Sequence, residues 1–289
     1  MFKDLKDRCQ GNINVCGKYQ NERVLQESKK DALLKEYREL VEAVRNDYRQ
    51  RTMDSAGNAI LLWCEACNEI NLWTYWQGIG NLNSKILLVG QDWGCAFNNN
   101  FANFKERIVA MNTGDFSMDY IEETKFTTDK NLIELFDVLG YDLREKSTDL
   151  FFTNLILGYR RKRSTGVLQK EYFLKDVVYL ECLVKIIKPD VIICLGKDTY
   201  EVAASELSKK KVHINKFFQT LEDGDNYITF ELSGKTMRIY AVAHCGSYGV
   251  MNRKKYASNS VDTKSGLDLQ KEDWMKIKEY LEEVNCKGI

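Results

Sequence analysis

Apolar residues fall into two textures along this chain, periodic stripes and short unbroken runs. Residues 28–50 carry the first. Leu33, Leu34, Tyr37, Leu40, Val41, Val44 and Tyr48 recur at helical spacing, with Lys, Glu and Arg between them, which predicts an amphipathic helix. From about residue 61 onward, four unbroken runs occur at 86–89, 150–157, 191–195 and 239–243. They lack alternation, as strands do when helices cover both faces of their sheet. Helical stripes fill the gaps at 131–139, 171–187 and 198–207, and a last one spans 271–284. Residues 227–232, followed by Gly234, read as a hairpin leading into the final strand. This order predicts an α/β fold, a three-layer α/β/α sandwich around a central, mainly parallel four-stranded sheet. The expected division is a helical N-terminal extension over 1–60 and one main domain over 61–289.

Composition narrows the class. A chain of 289 residues, 44% hydrophobic and 29% charged, buries a sizeable core and reads as globular. No apolar run reaches the roughly 18 residues of a membrane span, and Met1-Phe2-Lys3-Asp4-Leu5-Lys6 has no apolar stretch behind it. No membrane partner and a cytoplasmic location are therefore expected. Charge balances at 42 basic against 42 acidic residues, so any affinity for a polyanion must come from local clusters. Two are candidates, Tyr159-Arg160-Arg161-Lys162-Arg163 and Arg253-Lys254-Lys255, whereas Lys209-Lys210-Lys211 reads as solvated surface. Nine cysteines without an export signal argue against a disulfide scaffold. Cys182 and Cys194 sit in apolar runs as small core residues. Cys64 and Cys67 have metal-ligand spacing but form half a site.

Open parallel sheets bind ligands beyond the carboxyl ends of their strands. Those positions hold Gly90-Gln91-Asp92-Trp93-Gly94, Asn154, Gly196 and His244-Cys245-Gly246-Ser247. An acid, an amide and one of the chain's two histidines thus meet on one edge. Plain structural roles compete at each position: Asp92 as a helix cap, Asn154 as a satisfied core amide, His244 as a packed ring.

In order, four stretches resemble the uracil-DNA glycosylase superfamily. Residues 86–94, ending Gly90-Gln91-Asp92-Trp93-Gly94, resemble its water-activating loop, which reads Gly-Gln-Asp-Pro or Gly-Glu-Ala-Pro-Gly. Phe151-Phe152-Thr153-Asn154-Leu155-Ile156-Leu157 is similar to the strand whose Asn reads the uracil edge. Residues 188–196 resemble its third-strand run, and Ala241-Val242-Ala243-His244 the strand entering its His-Pro-Ser loop. The resemblance spans residues 64–253. Its layout is nearest the iron–sulfur branch, with the Gly-Gln-Asp form of the first motif.

This resemblance implies hydrolysis of the N-glycosidic bond of uracil, or a related deaminated base, in DNA. Asp92 would orient water and hold the sugar cation, and His244 would stabilise the departing base. Gly90, Gln91 and Asn154 would bind the base, and Phe126 would stack on it, with Phe97 and Phe101 as rivals. Arg160, Arg161, Arg163, Arg253 and Lys254 would meet DNA phosphates, as would Ser247. No cofactor is expected: the position matching a third cluster ligand is Gly158, Cys182 lies too close to Pro189 for a fourth, and Cys64 and Cys67 alone make no cluster. Trp93 replaces a proline, and Gly94 replaces the tyrosine that rejects thymine's methyl, implying a more permissive pocket. His-Cys-Gly-Ser is one residue longer than His-Pro-Ser, which shifts Ser247. The alternative is a glycosylase-like nucleic-acid-binding protein without catalysis. An unrelated nucleotide-binding enzyme lacks its Gly-rich phosphate loop here. No oligomeric state is implied.

Overall fold

The computed structural model describes residues 4–51, 61–63, 69–71, 82–92, 127–145, 149–160, 170–257 and 263–287. Among these, helix α1 spans Asp4–Gln50 and α2 Thr127–Leu139. Then come α3 Lys170–Ile187, α4 Lys197–Ser208, α5 Phe217–Asp223, α6 Ser247–Lys255 and α7 Gly266–Lys287. The strands are β1 Leu61–Leu62, β2 Ile86–Gly90, β3 Leu150–Asn154, β4 Tyr159–Arg160, β5 Val191–Leu195, β6 Tyr227–Leu232 and β7 Lys235–Val242.

The main sheet runs β3-β2-β5-β7-β6. It has five strands where four were expected. β3, β2, β5 and β7 are parallel, and β6 joins as an antiparallel edge through the hairpin. Ser233 and Gly234 both take positive φ, 52° and 74°, the backbone of a two-residue turn that suits the strand twist. β1 and β4 form a separate antiparallel pair.

Each unbroken apolar run divides its residues between two cores. Leu87, Val89, Phe151, Ile192, Cys194 and Ile239 face α1, α3 and α4. Ile86, Leu88, Leu150, Val191, Ile193 and Val242 face α2 and α7, where the Phe136 and Trp274 rings meet edge-on at 5.2 Å. That is the three-layer sandwich, and it explains why the strands show no polar face.

The stripe expected over 28–50 lies within α1, and Tyr37, Leu40, Val41, Val44 and Tyr48 belong to the same core as the sheet. A buried polar knot fixes this helix. Asp176 of α3 accepts hydrogen bonds from the Tyr48 hydroxyl, the Arg51 guanidinium and the Leu157 N–H. The run expected as a strand over 150–157 leaves the ladder after Asn154 for that reason. Leu155 and Ile156 donate instead to the carbonyls of Gly90 and Gln91, at 2.8 and 3.0 Å, and Leu157 donates to Asp176.

From β2 the chain passes to β3 on one side, then crosses to β5 on the other. The switch point therefore lies between the carboxyl ends of β2 and β5, where such sheets open a crevice. No helix among the described residues is long and apolar enough to cross a membrane.

Candidate active site

A cavity of about 730 Å³ opens at this switch point. Gln91 and Asp92, just beyond β2, form one wall, and Gly196 and Lys197 begin α4 beside them. Ala243 and His244 follow β7, while Tyr248, Gly249 and Asn252 come from α6. Thr128 at the start of α2 and Phe217 and Phe218 at the start of α5 complete it. Asp92 and His244 come from β2 and β7, which are separated by β5. Two interstrand spacings place their backbones on the order of 10 Å apart, room for a flat ring between them. Gly196, with φ at 97°, sits at the base of that gap with open space where a Cβ would point.

The state of His244 follows from its bonds. Its Nδ1 accepts the Gly246 N–H at 2.9 Å, so a neutral ring carries its proton on Nε2. The residue has exposed surface, yet that surface is a cavity wall packed around by protein, and the packing lowers its pKa below the ordinary 6.5. The Asp92 charge acts the other way and offsets part of the effect. The result is a neutral donor at pH 7.

Two buried amides hold the loop that carries this ring. Asn131 of α2 donates to the Cys245 carbonyl at 2.6 Å, and Gln270 of α7 donates to the His244 carbonyl at 3.1 Å. Gly249 passes so close that a Cβ there would lie 1.8 Å from the His244 carbonyl oxygen. Across the cavity, Gln91 donates from Nε2 to Asp92 Oδ2 at 3.0 Å, which orients the carboxylate.

Of the residues expected from sequence, Gln91, Asp92 and His244 share this cavity. Gly90 lies directly behind its wall. Asn154 does not line it. The residue is buried, paired with Gly90 across β2 and β3, and its amide oxygen would sit 2.2 Å from any Cβ at Gly90. Gly90 is thus required by the packing of Asn154.

Arg253 is a correction. Instead of meeting DNA it is 2% exposed, donating to both carboxylate oxygens of Asp273 at 2.8 and 3.0 Å and to Glu222 at 3.2 Å. A guanidinium so paired holds helices together and is not offered to phosphate. Lys254 is half-buried, and Ser247 is exposed at the first position of α6. Arg160 lies in β4 with its side chain outside the described residues, as are Arg161, Arg163, Phe126, Phe97, Phe101, Trp93, Gly94, Cys64 and Cys67. At Gly158, the position matched to a third cluster ligand, a Cβ would lie 2.2 Å from the Tyr48 ring, so no thiolate fits there.

No protein-family model matches this chain, and no curated protein matches it significantly. What the site does must be read from its own geometry.

Sequence reasoning missed Thr128, Lys197, Phe217, Phe218, Tyr248 and Asn252. All six lie in the first or second turn of a helix. Their shared signal was position just after a strand or loop, which periodicity does not register.

Proposed function

We propose that the chain is a DNA glycosylase that hydrolyses the N-glycosidic bond of uracil or a related deaminated base. The observation that carries this reading is the pairing of Asp92 and a neutral His244 across one aromatic-walled cavity at the switch point of the sheet. The reaction needs opposite help at its two ends. As the C1′–N bond breaks, the base leaves with the bonding electrons while positive charge grows on the sugar. Asp92 stabilises that cation, orients the water and accepts its proton as oxygen bonds to C1′. His244 donates a hydrogen bond from Nε2 to the base oxygen where negative charge collects, and a neutral imidazole does this without first losing a proton.

Phe217 and Phe218 supply flat apolar surface for the extruded base, offsetting part of its unstacking cost. The amides that line the cavity are Gln91 and Asn252, and we assign the reading of the base edge to them, with Asn154 supporting the strand end from behind.

The test is strand cleavage after alkali treatment of an oligonucleotide carrying one uracil. We expect cleavage by the native protein and a loss of at least about tenfold in Asp92→Asn, the usual cost of removing a general base. Native-level activity in that variant would remove Asp92 from the mechanism. Binding without cleavage of uracil, hypoxanthine or xanthine substrates would favour the non-catalytic reading.

A further inference from the structure

We propose that the face formed by α5 and α6 beside the cavity is a stacking platform for single-stranded DNA, so that the substrate strand is unpaired where it enters. That the polymer is DNA rests on the function proposed above; that it is unpaired rests on the shape and chemistry of this face. Three of the large apolar residues that the fold leaves exposed lie on α6 and its cap: Tyr248, Met251 and Tyr256, at 80%, 58% and 54%. Buried packing does not explain them. The helix is held from beneath by Arg253 on Asp273 and Glu222, which turns these side chains outward.

The rings form a path. Phe218 lines the cavity and also stacks on Tyr256, with centroids 5.2 Å apart and planes within 14°. Phe217 meets Phe218 edge-on at 5.1 Å. A base laid on Tyr256, on the side away from Phe218, continues a stack that leads through Phe218 into the site.

Charge completes the argument. α6 carries Lys254 and Lys255 and no acid, its Arg253 being taken up by Asp273 and Glu222. Lys216 stands directly before α5, whose own Glu222 is held by that Arg253. Lys255 holds its ammonium over the Tyr256 ring, 5.1 Å from the centroid, and its flexible stem lets it move to the phosphate of a nucleotide stacked there. Flat rings interleaved with cations suit unpaired nucleotides. A duplex turns its base faces inward against one another, leaving edges and phosphates outside, so exposed tyrosine faces gain little from it. A single strand also spares the enzyme the cost of unpairing the target.

Fluorescence anisotropy with an undamaged oligothymidylate, single-stranded and annealed to its complement, tests this without any excision step. We expect the single strand to bind at least about tenfold more tightly than the duplex. Tyr256→Ala should lose about tenfold on the single strand and little on the duplex, in keeping with the loss of one stacking contact. Tyr256→Trp should retain binding, and its added indole emission should be quenched by the oligonucleotide. Equal affinity for both forms by the native protein, or an unquenched indole in Tyr256→Trp, overturns the platform. Single-strand binding with no excision of uracil, hypoxanthine or xanthine would keep the platform and sink the glycosylase reading. Excision from duplex and single strand at equal rates, unchanged in Tyr256→Ala, would do the reverse.

Discussion

His244 shows how one residue's surroundings set its chemistry. Packing around the ring lowers its pKa, and Asp92 is the raising influence. Removing that charge by Asp92→Asn should therefore move the imidazole titration further down, followed by proton NMR of the ring. An upward move would mean the two groups do not face each other. The sign for stability follows. Below about pH 6.5 the unfolded chain binds a proton that the native ring resists, so stability falls as pH drops toward the folded pKa and levels off beneath it. Residues of this kind were legible from sequence because both stand at strand ends, where the fold class itself dictates a ligand edge. Asn154 stands behind that edge, and its position was less legible for a related reason. Its place in the strand was visible, but which side of Gly90 its amide packs on depends on pleat and register.

At the scale of the element, α6 is the clearest case of a sequence pattern read wrongly. Arg253-Lys254-Lys255 looks like a phosphate-binding run, yet its first member is the anchor of the helix. The partner Asp273 lies 20 residues away on α7, and nothing in a charge run announces such a partner. α6 itself was not foreseen, because its apolar residues Tyr248 and Met251 face outward and leave no buried stripe. The seven residues of α5 are too few for a period to register. Arg253→Met should cost about 3–5 kcal/mol, since Asp273 stays buried without its cation, measured by denaturant unfolding. If the variant instead folded with native stability and only weakened DNA binding in a salt-dependent way, the phosphate role would be restored.

Among the described residues the five-stranded sheet has a core on each face, and α1 is part of the first core. Sequence periodicity found its stripe but placed it in an extension ending at residue 60, because a helix pattern says which face is apolar and not what covers it. Tyr37, Leu40, Val41, Val44 and Tyr48 pack with Leu87, Val89 and Phe151 of the sheet. Fully burying each such side chain stabilises by roughly 1.5–3 kcal/mol, and whole domains are stable by only about 5–15 kcal/mol. The same helix supplies Tyr48 to Asp176, with Arg51 just beyond its end, and Asp176 in turn holds the Leu157 N–H after β3. Losing the helix uncovers one sheet face and strands a buried carboxylate together. A chain beginning at residue 61 should therefore fail to give a cooperative thermal transition by circular dichroism, although every cavity residue is retained. Should that fragment melt cooperatively near the temperature of the full chain, α1 is an appendage after all, and the sheet closes its first core without it.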